Sequence, residues 1–255
     1  MLVDAILLAA GEGRRFDASS KTPLPKQFQN IHGISLVVHS LLALERLDCI
    51  RNYVVVVPER YLVLARQEVE RLPESIGARI KIVSGGAERH HSSWEGLRAI
   101  ENPPERVLIH DACRPYLSPS FCLSLKQAIQ DRSFAAWIPV VRGVDTLKRV
   151  VNRTVVETVG RDEIFRAQTP QIFEFSLIRG LMERAQNDQT PRFTDDASIL
   201  ETYGIPVGIF DGDLQNIKLT HGFEKKFFEF LLPHGTTPSA MQGKCASDSD
   251  LISTA

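Results

Sequence analysis

The chain has 255 residues, of which 43% are apolar and 24% are charged, and its formal net charge at pH 7 is −1. This composition is that of a folded globular protein and excludes disordered and collagen-like classes. Because positive and negative charges nearly cancel, bulk nucleic-acid binding is not expected, and any site for anions must be local.

The cysteines and the N-terminal sequence indicate a compartment. Cys49, Cys113, Cys122 and Cys245 are scattered without a C-x-x-C pair, so neither a structural zinc site nor a disulfide framework is expected. The chain enters a strand pattern at once, without a signal or transit segment, and no apolar run approaches the roughly 20 residues that cross a bilayer. We expect a cytoplasmic protein that does not bind membranes.

The first predicted strand, Val3 to Ala10, is an apolar run typical of a buried strand in a parallel sheet. It runs into Gly11 and Gly13, where the missing Cβ lets the backbone turn sharply and approach a ligand. Arg15 follows, and Lys26 lies beyond the loop in a Pro-Lys-Gln sequence. Backbone N–H groups and fixed positive charge suit a polyphosphate, whereas the alternative is a tight turn with solvated arginines. A dinucleotide fingerprint and a Walker A loop are both excluded by the missing residues.

Strand and helix patterns then alternate along the chain. Further strands are predicted at Tyr53 to Val57, Arg79 to Val83, Arg106 to Ile109, Ala135 to Val141 and Pro206 to Phe210, and helices at Ser35 to Arg46, Tyr61 to Leu72, Ser92 to Ile100, Pro119 to Gln130, Glu174 to Ala185, Asp195 to Tyr203 (with Thr194 as N-cap) and Phe223 to Leu232. The alternation predicts an α/β fold with a Rossmann-like, doubly wound, mostly parallel sheet. Ligands of such sheets sit at the carboxyl ends of the strands.

Two segments depart from the alternation. Residues 140–159 indicate two strands around an Asn-Arg turn, which is either an arm that packs on another subunit or an edge hairpin. Residues 233–255 are rich in Gly, Thr, Ser and Ala, and we expect a disordered tail after a single domain that spans 1–232.

Several polar residues fall at predicted strand ends. Asp111 suits a Mg²⁺ ligand, because Mg²⁺ takes one or two carboxylates plus phosphate oxygens; the alternatives are a helix N-cap or a salt bridge to Arg114. Arg161 and Lys218 follow strands and can reach the same edge, although isolated cations are usually surface residues. His39 and His110 have apolar neighbours and are interpreted as structural, and no Ser-His-Asp or Cys-His pairing is present.

Seven motifs occur in order: Ala9-Ala10-Gly11-x-Gly13-x-Arg15, Pro25-Lys26-Gln27, His110-Asp111-Ala112-Cys113-Arg114-Pro115, Asp145-Thr146-x-Lys148, Gln168-Thr169-Pro170-Gln171, Thr194-Asp195-Asp196-Ala197-Ser198 and Asn216-Ile217-Lys218. Together they resemble the 2-C-methyl-D-erythritol 4-phosphate cytidylyltransferase family over about residues 1–232. The resemblance implies a nucleotidyltransferase fold, CTP and methylerythritol phosphate as substrates, Mg²⁺ as cofactor, and a homodimer whose hairpin arm completes the neighbour's site.

By the same resemblance, catalytic roles fall on Arg15 and Lys26, nucleotide contacts on Ala9, Ala10, Gly11, Gly13, Gly85, Gly86, Ser92 and Asp111, substrate contacts on Arg114, Thr146, Arg161, Thr169 and Lys218, and the metal on Asp111.

Three departures from the family pattern leave alternatives open. The segment from Asp17 to Leu24 is longer than usual, so Lys21 competes with Lys26 for its role. Cys113 stands where the family commonly has alanine, a small swap expected to be harmless. Gln215 stands where some members carry an acid, so the second metal ligand is Asp211, Asp213 or none.

Other functions also remain open from the sequence. A cytidylyltransferase for ribitol 5-phosphate shares the nucleotide motifs, and a nucleotide-binding regulatory module without catalysis is the alternative from another class. A fused second enzyme is not expected, since little sequence follows residue 232.

Overall fold

The computed structural model describes residues 1–11, 24–187 and 193–232. Gly13, Arg15, Lys21 and the predicted tail 233–255 lie outside the described residues.

The described strands, in chain order, are β1 (Val3–Leu8), β2 (Asn30–Ile31), β3 (Ile34–Ser35), β4 (Ile50–Val57), β5 (Ile80–Ser84), β6 (Arg106–Asp111), β7 (Ala136–Arg142), β8 (Leu147–Val151), β9 (Thr154–Val159), β10 (Phe165–Ala167), β11 (Gln171–Glu174) and β12 (Gly208–Asp211). The helices are α1 (Leu36–Glu45), α2 (Leu62–Val69), α3 (Glu74–Gly77), α4 (Arg89–Arg98), α5 (Pro119–Gln130), α6 (Phe175–Asn187), α7 (Ala197–Thr202) and α8 (Phe223–Leu231).

Eight of these strands form one central sheet. Its order is β10-β7-β11-β6-β1-β4-β5, and β12 also pairs with β7. The pairs β1–β4, β1–β6, β4–β5 and β7–β12 are parallel, whereas β10 and β11 run antiparallel to their neighbours. The predicted α/β class with a mostly parallel sheet is therefore confirmed.

Helices cover both faces of this sheet, because successive apolar side chains of its strands point to opposite faces. In β4, Tyr53, Val55 and Val57 pack into a core with residues of α1, α2 and α5. Val54 and Val56 point to the other face, into a core with residues of α4, α6 and α7. All five side chains are almost completely buried, so the register of β4 is fixed by burial on both faces.

The sequence patterns missed β10 and β11. Each has only three or four residues, and the pair is interrupted by the Thr169-Pro170 sequence, so no run of alternating residues is long enough to be detected. Yet β11 lies between β6 and β7 and pairs with both. Its position determines which side chains stand behind the end of β6.

The hairpin prediction requires a correction at its start. Residues 140–142 belong to β7 in the central sheet, and the hairpin consists of β8 and β9 only. Asn152 and Arg153 both have positive φ, as the tight two-residue turn of such a hairpin requires. We call residues 147–159 the arm; β8 and β9 pair with each other in a separate two-stranded sheet.

The N-cap predicted at Thr194 is also wrong. Helix α7 begins two residues later, after Asp196. The Asp195 carboxylate instead accepts a hydrogen bond from the Ser198 N–H, at 3.1 Å, because the Asp196 side chain is engaged by an arginine. In the described residues we find no helix with the length and hydropathy of a membrane span.

Candidate active site

A cavity of about 670 Å³ opens at the carboxyl ends of β1 and β6. It is lined by Leu8, Ala9, Ala10, Gly11, Lys26, Gln27, Gly86, Ala87, Glu88, Arg89, Ser92, Asp111, Cys113, Lys218 and Thr220. The structure thus brings together residues that are up to about two hundred positions apart in the sequence. Gly85 borders an adjoining cavity that shares Ala10, Gly86 and Ala87 with the first.

The two glycines after β5 allow the α4 loop to pack closely against β1. A Cβ at Gly85 would lie 2.8 Å from the Ala10 Cβ, and a Cβ at Gly86 would lie 2.3 Å from the His91 Cβ. Real side chains do not approach this closely, so a larger residue at either position would push the cavity wall outward. Ser92 also lines the cavity, and its hydroxyl donates to the Glu88 carbonyl at 3.2 Å.

The Pro-Lys-Gln sequence holds the first glycine loop by its side chains. Gln27 Nε2 donates to the carbonyls of Ala9 at 2.6 Å and Gly11 at 3.0 Å. Lys26 Nζ donates to the Leu219 carbonyl at 3.0 Å. Lys26 therefore lies near both the carboxyl end of β1 and the segment that contains Lys218. The role of Gln27 was not anticipated from the sequence, although its motif was.

Asp111 ends β6 as an ionised carboxylate surrounded by cations. Lys218 Nζ lies 2.7 Å from Oδ2, Arg89 Nη2 lies 3.4 Å from Oδ1, and Arg114 Nε lies 4.0 Å from Oδ2. Burial raises the pKa of Asp111, but Lys218, Arg89 and Arg114 outweigh it and hold the pKa well below its ordinary range. Asp111 was expected at the end of a strand, and it is the last residue of β6.

Arg89 is a functional candidate that lies outside the sequence motifs. Its guanidinium lines the cavity and joins Asp111 to the fully buried Asp196, whose Oδ2 lies 2.7 Å from Nη1. Burial lowers the pKa of Arg89, but the two carboxylates outweigh this effect and raise it, so the group stays charged. The Asp195-Asp196 motif was the available signal, but spacing alone does not show which aspartate pairs with Arg89.

Comparison with known proteins agrees with this arrangement. The family model "IspD: 2-C-methyl-D-erythritol 4-phosphate cytidylyltransferase" matches residues 3–233. The chain belongs to the 2-C-methyl-D-erythritol 4-phosphate cytidylyltransferase family.

Relatives and solved structures of the cytidylyltransferase family extend over most of the chain. A protein named 2-C-methyl-D-erythritol 4-phosphate cytidylyltransferase from Corynebacterium efficiens is 37% identical, covering 86% of this chain and 88% of the relative. The "Bifunctional enzyme IspD/IspF" of Allorhizobium ampelinum is 36% identical over 93% of this chain, which spans only 58% of that relative's length. The crystal structure of 4-diphosphocytidyl-2C-methyl-D-erythritol synthase from Anaerococcus prevotii has a TM-score of 0.75 and 26% identity, covering 91% of this chain and 98% of that one.

Of the substrate residues implied by the cytidylyltransferase family, Lys218 lines the cavity, but Thr169 and Arg114 stand behind Asp111. Thr169 is 5% exposed. Its hydroxyl accepts from the Asp111 N–H at 3.1 Å. Arg114 Nη1 donates to the Asn216 carbonyl at 2.6 Å. These two residues hold in place the end of β6 and the stretch of chain that contains Lys218.

Thr146 and Arg161, the other two, are exposed at the base of the arm and do not line the cavity within the described residues. The Arg161 guanidinium lies within reach of the Val144 carbonyl, at 3.5 Å.

The carboxylate set fits a Mg²⁺ ion held largely by substrate. Asp213 Oδ1 accepts from the Gln215 N–H, and Asp211 borders a different cavity, so neither lines the cavity beside Asp111. The described part of the chain contains no cluster of three or more metal-binding side chains. One ionised carboxylate suits Mg²⁺, which completes its octahedron with phosphate oxygens and water.

Cys113 behaves as the small apolar residue that was expected. It lines the cavity floor and is 6% exposed. Burial raises the pKa of its thiol to about 11, so it is not a thiolate at neutral pH.

His110 is structural, as interpreted from the sequence, and its proton can be placed. Its Nε2 lies 3.0 Å from the Arg114 carbonyl, which can only accept, so Nε2 carries the hydrogen. Its Nδ1 lies 3.0 Å from the Thr169 hydroxyl, so Nδ1 accepts. Burial lowers the pKa of His110 to about 4.

This lowered pKa predicts a pH dependence of stability. Between pH 6.5 and about 4 the unfolded chain binds a proton at His110 that the folded chain does not, so stability falls as pH falls. From pH 7 to pH 5 this one group costs roughly 2 kcal/mol of unfolding free energy. Urea denaturation should show the wild type losing that much more than His110→Asn over this range. Equal losses in the two proteins would contradict the assignment, and His39, buried in both, cancels in the comparison.

Proposed function

We propose that the protein transfers CMP from CTP to 2-C-methyl-D-erythritol 4-phosphate. An oxygen of the acceptor's phosphate forms a bond to the α-phosphorus of CTP, and the bond between the α-phosphorus and the α–β bridging oxygen breaks. The products are 4-diphosphocytidyl-2-C-methyl-D-erythritol and pyrophosphate. The observation that most supports this proposal is one ionised carboxylate, Asp111, surrounded by three cations in a cavity at the strand ends.

The surroundings suit a reaction between two anions. A phosphate is already ionised at neutral pH, so the nucleophile needs no general base. His110, the histidine beside Asp111, has both ring nitrogens engaged and is kept neutral by burial, so it is not placed to act as one. Catalysis then depends on positioning the two anions and offsetting their repulsion by cations.

Each cation has a proposed place in this scheme. Lys26, with Arg15, stabilises the charge that develops on the α-phosphate and the leaving pyrophosphate. Lys218, with Arg161, binds the phosphate of the acceptor. The position of Lys218 between Asp111 and the cavity supports this, because the same ammonium can face both substrates.

The remaining cavity residues are proposed to hold the nucleotide. The backbone of Ala9, Ala10 and Gly11 faces the phosphates, and the family resemblance assigns Gly13 to the nucleotide as well. Gly85, Gly86 and Ser92 form the close-packed wall that receives the cytidine. Mg²⁺, held by Asp111, would supply Lewis-acid stabilisation of the phosphate oxygens when bound. Thr169 and Arg114 support the substrate side from behind Asp111, and Thr146 lies at the base of the arm.

The test of this function is pyrophosphate release from CTP and Mg²⁺ with each of two acceptors. Activity with methylerythritol 4-phosphate alone is expected. Activity only with ribitol 5-phosphate would keep the nucleotide site and replace the acceptor. CTP binding without release in either reaction would instead indicate a regulatory module.

Replacing Lys26 should reduce turnover more than affinity. Lys26→Ala removes a cation that acts on charge developing in the transition state, and kcat should fall roughly 10²- to 10³-fold with a smaller change in KM. Arg15→Ala should behave alike. Steady-state kinetics measures both, and the exposed Lys81→Ala, whose Nζ pairs with Glu101, is the matched control.

A normal kcat for Lys26→Ala would remove this role from Lys26. If Lys21→Ala lost turnover instead, the role would belong to that residue of the long loop.

We also propose that the protein is a cytoplasmic homodimer formed through the arm. The scattered cysteines fit a reducing compartment. Val150, Val151, Val155 and Val156 of the arm are each more than half exposed, and a two-stranded hairpin alone is marginally stable in water. A second subunit that covers these valines would also bring Thr146 and Arg161, at the base of the arm, to a site.

Charges on the arm should therefore separate the subunits. The double variant Val150→Asp and Val155→Asp places two carboxylates on paired arm residues and should convert the dimer to monomers with loss of activity. Analytical ultracentrifugation measures the assembly, and Val63→Asp, at an equally exposed valine of α2, is the control. A wild type that sediments as a monomer would contradict the proposal.

A further inference from the structure

Lys218 belongs to a segment without regular backbone hydrogen bonding. Residues 212–222, here called the Lys218 segment, connect β12 to α8 and contain neither helix nor strand. A side chain on such a segment keeps a fixed place only if other contacts hold the backbone. Within the segment the Asn216 N–H donates to the Asp213 carbonyl at 3.0 Å, and further contacts tie the segment to the rest of the protein.

Gln168 provides the contact with the start of the Lys218 segment. Its Nε2 donates to the Asp213 carbonyl at 2.8 Å and to the Asn216 carbonyl at 3.2 Å, while its Oε1 accepts from the Asp213 N–H at 3.0 Å. Because carbonyls only accept and the N–H only donates, these three partners fix the orientation of the amide. The Gln168 amide thus bonds to both the carbonyl and the N–H of Asp213, as the backbone of a neighbouring β-strand would.

The groups around Gln168 make this contact rigid. The Gln168 N–H donates to the Pro139 carbonyl in β7 at 2.8 Å, and its side chain is buried. Asn216 Nδ2 donates to the Thr169 carbonyl at 2.9 Å. Further along, the Leu219 N–H donates to the Cys113 carbonyl at 2.8 Å. The Lys218 segment is thus tied to the central sheet on both sides of Lys218.

We propose that Gln168 is a positioning residue that sets the place of the Lys218 ammonium over Asp111 and so governs binding of the acceptor's phosphate. The proposal rests on the function proposed above and deepens it. Gln168 does not line the cavity, so its effect on the reaction passes through Lys218.

The isosteric variant Gln168→Glu tests this most directly. The new carboxylate can still accept from the Asp213 N–H, but it cannot donate to the two carbonyls and repels them. The Lys218 segment should move while the packing volume stays the same. Gly212→Ala is a second route to the same displacement, since its Cβ would lie 2.5 Å from Gln168 Oε1.

The experiment is a double-mutant cycle of Gln168→Glu and Lys218→Ala, read by steady-state kinetics. In the wild-type background, Gln168→Glu should lower kcat/KM for the acceptor roughly 10- to 100-fold and leave KM for CTP within about twofold. In the Lys218→Ala background the same substitution should change kcat/KM by no more than about twofold, because its effect passes through Lys218. Gly212→Ala should give the same pattern.

A general loss of stability would give a different result. Ile178→Val removes a methylene from the buried face of α6, on another part of the sheet, and serves as the control for destabilisation. Equal effects of Gln168→Glu in both backgrounds, or equal effects on CTP and acceptor, would overturn the proposal.

Failure of the proposed function can be told apart from failure of this proposal. If the wild type transfers CMP to neither acceptor, inorganic phosphate serves as the anionic probe in calorimetry on the same four proteins. If Gln168→Glu weakens binding of the probe only when Lys218 is present, the result supports the positioning role. Equal weakening in both backgrounds, or no binding by the wild type, overturns it.

Discussion

The cavity depends on one electrostatic constraint, the burial of the Asp111 carboxylate at the end of β6. An isolated ionised carboxylate in this position would be costly, and it is stabilised by cations from three different parts of the chain. Arg114 comes from the loop directly after β6, Arg89 from the start of α4, and Lys218 from the segment after β12. Two of these cations, Arg89 and Lys218, also line the cavity, whereas Arg114 lies behind Asp111.

The charges of the site are also linked to its supporting hydrogen bonds. The Asp111 N–H donates to the Thr169 hydroxyl, which faces Nδ1 of His110, and Nε2 of His110 faces the Arg114 carbonyl. Each donor in this series of hydrogen bonds has one acceptor when His110 is neutral. Arg114 then donates to Asn216, which carries the constraint into the Lys218 segment.

This organisation explains why short motifs in the sequence carry so much of the site. Gln27 holds the glycine loop, Gln168 holds the Lys218 segment, and Asn216 ties that segment to Thr169. All three are amides whose NH2 groups donate here to backbone carbonyls, and the Gln168 oxygen also accepts from a backbone N–H, as a neighbouring strand would. In this protein, a polar residue that neighbours a cation in a motif more often holds the backbone in place than contacts a ligand itself.

The sequence by itself determined the α/β class, most of the parallel strands and helices, the family, and the side chains expected at the strand ends. These follow from local patterns: apolar runs, helical periodicity, and polar residues where a strand stops. Asp111 and Lys218 were expected at one edge of the sheet, where parallel strands bring their carboxyl ends, and both line the cavity. Arg161 was expected at the same edge but does not line the cavity among the described residues.

Only the tertiary structure decided which residues face the cavity and which support it. Strand β11 is too short to leave a pattern, yet its place between β6 and β7 puts Thr169 behind Asp111. Asp196 is selected over Asp195 as the partner of Arg89, and residues 140–142 join the sheet while the arm begins later. These arrangements depend on interactions between residues that are distant in the sequence. Such interactions form only once the sheet has brought the residues together.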